Sequence, residues 1–375
     1  MKLAIDASNI KAGGGIVYLQ NLLQYADPYI HDIQKVVVYG GRKPLENLPQ
    51  KNWLDLREIP ILNRSFLHRL QWQKSQLGRI VKQEKALLFV PGGLYLERYL
   101  PFVTMFQNMQ VFEKPEKNRE YFSKAWLRLH LLQIGQSKTF SNCSGLILLS
   151  EHSQNYLRQF YPYLLKDSQV SIIPHGISQI KKQPRDYEFK HKIRLLYVST
   201  VKQYKHQWQL IEAVACLKKQ GFPIELHLIG SCDRPALKRM NEAIQNNSSL
   251  GEFVKYYGEL SHNETLNWYE NVDLFAFPSS CEALPIILLE AMAAGLPIAC
   301  SDRGPMPEVL QDAGIYFNPD QQDSIAESLK LLLKDKSLRK NLGIKARLLS
   351  KKFSWERCAH ETFSFLGSIN KLHFS

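Results

Sequence analysis

The sequence predicts an α/β protein made of two tandem, doubly wound Rossmann-like domains facing a cleft. Three observations carry this. Apolar, β-branched runs alternate with helix-period stretches along the whole chain, as in parallel strands joined by crossover helices. Runs such as "KVVVYGG" and "IRLLYVS" are continuously apolar, as strands covered on both faces are. The alternation also occurs twice, over 375 residues, more than one ordinary domain takes. In open sheets ligands lie beyond the carboxyl ends of the strands, so the cleft between two such domains is the expected site.

The elements follow in order. Strands are expected at "KLAIDAS", "KVVVYGG", "ALLFVPG", "PFVTMFQ", "GLILLS" and "VSIIP" in the first half. Helical stretches separate most of them, near 16–26, 65–83, 119–140 and 152–160. In the second half the strands are "IRLLYVS", "IELHLIG", "VKYYGEL", "DLFAFPS", "PIACSD" and "GIYF". Helices intervene near 206–220, 235–246, 262–270, 285–294, 305–311 and 322–334. The polar, charged stretch 178–192, which contains Pro184, is the expected linker. This organisation puts an N-terminal domain at 1–180, a C-terminal domain at 190–355 and a final segment at 356–375.

Composition excludes several classes. Hydrophobic residues make up 45% of the chain and charged residues 22%, which argues against disorder. No run of eighteen apolar residues spans a membrane, and "MKLAIDAS" reaches Asp6 too soon for a secretory signal. Cys143, Cys216, Cys232, Cys281, Cys300 and Cys358 are scattered without a CxxC pair, as expected of reduced thiols in a cytoplasmic protein. The net charge of +13 is lopsided: residues 1–190 hold 26 Lys/Arg against 15 Asp/Glu, and residues 191–375 hold 22 against 20. A basic half implies an anionic partner: nucleic acid, a lipid surface or a phosphorylated substrate. No zinc-finger, RNP or helix-turn-helix signature supports nucleic acid. Arg64, Arg69, Lys74, Arg79, Lys82 and Lys85 stud one helical stretch. Arg119, Lys124, Arg128 and Lys138 stud another, among Tyr121, Phe122, Trp126, Leu127, Leu129 and Leu131. Such helices either lie on anionic lipid or pack their apolar faces on their own sheet.

Four stretches carry candidate chemistry. In "KAGGGIVYLQNLL", Gly13, Gly14 and Gly15 follow the first strand and open a helix, where bare backbone amides suit an anion. The spacing is not G-x-G-x-x-G, and an ordinary flexible turn is the alternative. In "YVSTVKQYKHQWQLIEAV", Lys202 and Lys205 sit on a loop at a strand's carboxyl end. Two ammonium groups there suit a diphosphate, although loop lysines are often merely solvated. In "CEALPIILLE", Glu282 precedes a helix whose first turn takes Pro285, and Glu290 is the lone charge on a nearly all-apolar helix ended by Gly295. A lone buried carboxylate is costly unless it is paired or liganded, and carboxylates bind sugar hydroxyls well. The alternative is a core helix whose Glu290 reaches solvent. "SDRGPMPEVL" places one more polar loop, with Glu308, on the same rim.

These motifs resemble the nucleotide-sugar-binding domain of the family 4 retaining glycosyltransferases, which have the GT-B fold. The resemblance rests on the Glu282-to-Glu290 phrase, "YVSTVKQYKH", "EAMAAGLPIACSDRGPMPEVLQDAGIYFNP" and the tail "FSWERCAHETF", in the family's order over roughly 190–365. The first half resembles the family more loosely, through the Gly13–Gly15 loop, "FQNMQVFE" and "IIPHGI". It implies that Glu290 holds the ribose hydroxyls of a nucleotide, while Glu282 and the backbone after it (Ala283, Leu284, Pro285) meet the donor sugar and diphosphate. Lys205 would stabilise the diphosphate as it leaves, which makes Glu282 and Lys205 the candidate catalytic pair. Ser199, Thr200 and Lys202 would border the donor, and the glycine loop would flank the diphosphate and the acceptor. Gln107 and Asn108 are candidate acceptor or sugar contacts. The helix after Trp355 would cross back to the N-terminal domain.

Two positions depart from the family's pattern. Thr200 stands where many members carry Arg, and Gln107 where many carry His. A neutral amide cannot act as a general base, so the implied route is front-face transfer, with the leaving phosphate oxygen taking the acceptor's proton. No D-x-D is present, so metal-independent transfer without a cofactor is expected. The implied partners are a GDP- or UDP-sugar, GDP-mannose among them, a saccharide or lipid-linked acceptor for surface polysaccharide, and an anionic membrane face, with no nucleic acid. A catalytically impaired scaffold and a basic nucleic-acid binder are the competing classes.

Overall fold

The computed structural model describes residues 1–10, 13–97, 99, 101–119, 123–165, 168–178, 180, 187–189 and 192–374. They form two compact units: Met1–Phe112, Phe122–Gly176 and Phe353–Ser375 make the first, and Glu113–Tyr121 with Ile177–Lys352 the second. The chain therefore contributes residues 113–121 to unit 2 from within its first half, and residues 353–375 return to unit 1.

Unit 1 is built on β1 (Lys2–Asp6), β2 (Lys35–Gly40), β3 (Leu54–Glu58), β4 (Ala86–Val90), β5 (Phe102–Met105), β6 (Gly145–Leu148) and β7 (Gln169–Ile172). The order is β3-β2-β1-β4-β5-β6-β7, with every pair parallel. Unit 2 holds β8 (Ile193–Val198), β9 (Ile224–Ile229), β10 (Val254–Tyr256), β11 (Leu274–Phe277), β12 (Ile298–Ser301) and β13 (Ile315–Phe317). Their order is β10-β9-β8-β11-β12-β13, again all parallel. The two doubly wound parallel sheets are those expected from the sequence. Central strands such as β4 and β11 are buried along their whole length, which is why they read as unbroken apolar runs.

Three local outcomes differ from expectation. Strand β3, "LDLRE", was not foreseen: it lies at the sheet edge, half-exposed, and alternates leucines with charges. The helix Lys336–Ser350 was also unforeseen. Its buried face is made of Arg339, Leu342, Gly343, Ala346 and Ser350, not of an apolar stripe. Arg339 donates to the carbonyls of Leu332 and Tyr187, so its charge is satisfied inside the unit. The helix expected over 65–83 is three pieces, Phe66–Trp72, a π-turn Gln73–Leu77 and Gly78–Gln83. The extra residue of a π-turn re-aims a side chain, and Gln73 here donates to the buried carboxylate of Asp6.

Of the helix expected over 119–140, the described part starts at Lys124 and runs to Asn142, behind a short helix Lys114–Asn118. Tyr121 and Phe122 lie outside the described residues, as do Lys11 and much of the expected linker, 181–186 with Pro184 included. At the linker's far end Tyr187 is tied down, its hydroxyl donating to Gly295 O at 3.1 Å.

The C-terminal helix Trp355–Phe374 packs in unit 1 through a close backbone approach. A Cβ added at Gly176 would stand 2.3 Å from Trp355 N and 2.5 Å from its Cα. Gly176→Ala is expected to cost about 2 kcal/mol or more, as overpacking against backbone does. Denaturant unfolding followed by intrinsic fluorescence measures this, and an unchanged midpoint would show that the two backbones part freely.

Candidate functional site

In unit 2 the strand order reverses between β8 and β11. The strand before the reversal has its next neighbour in sequence on one side, and the strand after it turns the other way. Their following loops therefore leave a crevice at their carboxyl ends, the place where such sheets bind ligands. The loop after β8 carries Ser199, Thr200, Lys202 and Lys205, and the loop after β11 carries Cys281, Glu282, Ala283 and Leu284. Topology thus brings together two stretches some eighty residues apart, and Lys205 Nζ donates to Glu282 Oε1 across them.

Both loops are anchored. The hydroxyl of Tyr197, a buried residue on β8, donates to Lys205 O at 3.0 Å. Ser280 N donates to Tyr204 O at 2.9 Å. Lys205 Nζ lies 5.0 Å from the centre of the Tyr204 ring and 5.9 Å from that of Phe277, so aromatic faces supply negative potential to the ammonium. Lys202 Nζ lies 5.9 Å from the Tyr204 ring. Thr200 Oγ1 is 3.2 Å from Ser231 Oγ, and Thr200 O accepts from Gln207 Nε2, also at 3.2 Å. Ser199 Oγ donates to Thr200 O at 3.3 Å.

Pro285 differs from its expected place. It stands just before the helix Ile286–Ala293, with φ −82° and ψ 76°, and Ile286 N donates back to Leu284 O at 3.0 Å. That is an inverse γ-turn, which proline's fixed φ favours but which excludes it from the first helical turn. The helix ends in a Schellman motif: Leu296 N reaches Ala291 O and Gly295 N reaches Met292 O, with Gly295 at φ +67°. Ala283, Leu284 and Pro285 are buried.

The two glutamates are held by different elements. Glu282 faces Lys205. Glu290 is 6% exposed and faces the helix His262–Asn271. The hydroxyl of Tyr269 donates to Glu290 Oε2 at 3.0 Å, and His262 Nδ1 lies 3.9 Å from Oε1. Burial pushes the Glu290 carboxyl up to about 7, and the Tyr269 hydrogen bond only partly offsets it. A carboxylate so placed, with one oxygen held by a phenol, has acceptor capacity left for ligand hydroxyls.

In unit 1, β1 and β4 flank the corresponding reversal. The glycine loop lies beyond β1. Gly13, at φ 62°, caps the helix Gly14–Tyr25, and only this glycine needs the left-handed region. A Cβ at Gly14 would meet nothing within 4 Å, so the space about the helix start is open. Gly15 would touch only Ile10. Gln107 is part-buried, its amide 3.7 Å from Met105 Sδ, and Asn108 caps the turn Met109–Val111. Sequence reasoning missed Asp6. Its carboxyl is raised by burial and is held by Ser8 N at 2.9 Å and by Gln73. A strand ending in an acid before a glycine loop was the available signal.

Among the described residues no group of three or more His, Cys, Asp or Glu side chains is placed to hold a metal, and no helix is long and apolar enough to cross a membrane.

Two parallel doubly wound sheets in tandem, with anchored loops at the switch point of the second, are the architecture of the GT-B fold, and comparison with known proteins gives the class as glycosyltransferase. Residues 179–349 match the family model of glycosyl transferases group 1, which supports a glycosyltransferase. It is 21% identical to the O-antigen chain mannosyltransferase B of Escherichia coli over 89% of this chain and 90% of that one. It is 27% identical to the lipopolysaccharide 1,2-N-acetylglucosaminetransferase of Salmonella typhimurium, over 88% of this chain and 83% of that one. Among solved structures, WaaG, a glycosyltransferase involved in lipopolysaccharide biosynthesis, superposes with a TM-score of 0.69 at 17% identity, over 97% of this chain and 99% of that one. Anabaena HepE in complex with UDP-glucose has the same TM-score at 18% identity and the same coverage.

Replacing Glu290 isolates its titration. The carboxyl loses its proton near 4.5 when unfolded and near 7 when folded, so the folded state keeps an extra proton between those values. Its unfavourable contribution therefore grows as pH rises from 4.5 and is complete above 7. Glu290→Gln should gain about 3 kcal/mol relative to wild type between pH 4.5 and 8. Unfolding free energies at the two pH values test this, and parallel pH curves for the two proteins would refute it.

Proposed function

We propose that the chain is a retaining, metal-independent hexosyltransferase of the family 4 type. In this reading it moves a hexosyl group from a GDP- or UDP-sugar, GDP-mannose among them, to a saccharide or lipid-linked acceptor of a bacterial surface polysaccharide. The observation that carries it is the pairing of Lys205 with Glu282 at the β8–β11 switch point, in the same unit as the buried carboxylate of Glu290. An ammonium there suits a leaving diphosphate, and a buried carboxylate suits ribose hydroxyls. The relatives named for O-antigen and lipopolysaccharide synthesis support the acceptor class, and a fold neighbour solved with UDP-glucose supports the donor class.

In the reaction, the acceptor hydroxyl forms the new bond to the anomeric carbon on the face from which the diphosphate departs. The leaving phosphate oxygen takes the acceptor's proton. Lys205, with Lys202 nearby on the same loop, offsets the negative charge that grows on the diphosphate. The protein contributes position and electrostatics and no covalent nucleophile. Gln107 and Asn108 orient the sugar or the acceptor.

The test of the donor site is a thermal-shift panel of GDP-, UDP-, dTDP- and ADP-sugars with wild type and Glu290→Ala. One nucleotide class should stabilise the wild type, and the variant should lose most of that shift. A wild type indifferent to all four overturns the reading.

In this reading the protein works at the inner face of the cytoplasmic membrane, where a lipid-linked acceptor would lie. Support comes from the helix Lys124–Asn142, which buries Leu129, Gln136, Thr139 and Phe140 yet leaves Leu127, Leu131 and Ile134 55%, 62% and 61% exposed. Their i, i+4, i+7 spacing forms one apolar stripe, beside Lys124, Arg128 and Lys138, in the half of the chain that carries the excess positive charge. An apolar stripe edged with cations complements an anionic lipid surface. The protein should co-sediment with phosphatidylglycerol-containing vesicles, and Leu131→Glu should weaken that several-fold, by about 2 kcal/mol or less. Binding that ignores anionic lipid content counts against the membrane assignment.

A further inference from the structure

His262 stands beside the candidate donor carboxylate and has no role in the transfer chemistry above. The loop after β10 ends at Ser261, and the helix His262–Asn271 follows. All strands of this sheet are parallel, so that loop leaves by the same edge as the loops carrying Lys205 and Glu282. Three hydrogen bonds fix the helix start. Ser261 N donates to Glu264 Oε2 at 2.9 Å, Glu264 N donates to Ser261 Oγ at 3.3 Å, and Thr265 Oγ1 donates to Ser261 O at 3.0 Å. They hold His262, the first helical residue, at the edge where such sheets bind ligands.

Tyr269 follows His262 by two helical turns, so the two lie on one face, about 10 Å apart along the axis. The Glu290 carboxyl sits against that face and divides its oxygens between them. Oε2 accepts from the Tyr269 hydroxyl at 3.0 Å, while Oε1 faces His262 Nδ1 at 3.9 Å. The second distance is too long for a hydrogen bond. Neither Oε1 nor the His262 ring has a hydrogen-bond partner among the described residues. Tyr269 is fully buried, whereas the His262 side chain is 49% exposed. The carboxyl is thus closed on the tyrosine side and open on the histidine side, where an acceptor oxygen and a ring nitrogen stand side by side with their capacity unused.

Two adjacent hydroxyls on one ring match that spacing. Each can stand at an ordinary ~2.8 Å from its own partner, one donating to Oε1 and the other hydrogen-bonded to Nδ1, which serves a hydroxyl in either tautomer. A ribose offers such a pair at its 2′ and 3′ positions, and a deoxyribose does not. We propose that His262 is a specificity-determining residue that reads one ribose hydroxyl beside Glu290, so that the site takes ribonucleoside diphosphates in preference to their deoxy forms. This rests on the donor-site reading above, in which Glu290 holds the ribose. A missing hydroxyl leaves Oε1 or Nδ1 facing the ligand without a partner, and that penalty is what discriminates. GDP- and UDP-sugars carry both hydroxyls, whereas dTDP-sugars lack the one at 2′.

The test is calorimetry on the full chain at pH 8, where Glu290, held by burial to about 7, is ionised. It compares UDP and GDP with their 2′-deoxy and 3′-deoxy forms. Ratios of affinity are read, so a loss of folded protein cancels. The wild type should prefer the ribose form over each deoxy form by roughly fivefold or more. His262→Ala should lower at least one of the two preferences by roughly threefold or more. His262→Asn, whose amide can stand in for the ring nitrogen, should keep an intermediate preference. Preferences that both stay within roughly threefold of wild type in His262→Ala overturn the role of His262. A wild type that binds UDP or GDP yet favours neither over its deoxy forms overturns it as well. A wild type that binds neither UDP nor GDP overturns the donor-site reading itself, and the role of His262 with it.

Discussion

Everything in the candidate site depends on one constraint: all strands of the unit 2 sheet run the same way. Parallel strands send every following loop to one edge, and the order reversal between β8 and β11 opens a crevice there. Lys205 and Glu282 meet only because their loops leave adjacent, codirectional strands. An antiparallel β11 would carry Glu282 to the opposite edge, and the same residues would form no site.

Around that crevice, cost and function are distributed unevenly. Glu282 is matched by an opposite charge, so its burial is compensated. Glu290 is not; a phenol hydroxyl is its close partner, and its proton is held to about pH 7. Folding a carboxyl into such a place opposes stability, which is why a buried lone charge points to a ligand. The surroundings of Glu290 are fixed by the Schellman motif that ends its helix.

The legibility of the chain varied with the physics of each segment. Strands buried on both faces announced themselves as apolar runs, and both glutamates stood out by contrast with their neighbours. Strand β3 and the helix Lys336–Ser350 did not, because an edge strand is half-wetted and that helix buries an arginine and small residues in place of an apolar stripe. The π-turn at Gln73–Leu77 has no periodicity that a short window reveals, so the Asp6–Gln73 contact stayed hidden.

By itself the sequence determined the two-sheet α/β architecture, the loops bearing Lys205 and Glu282, and the isolation of Glu290 on an apolar helix. These are local properties, written in hydrophobic period, turn chemistry and composition. Tertiary structure alone decided which groups meet: Lys205 with Glu282, Tyr269 with Glu290, and Arg119 with Asp320 across two hundred residues. Side-chain partners at long separation are selected by strand order and loop path, and neither leaves a mark on the residues nearby in the chain.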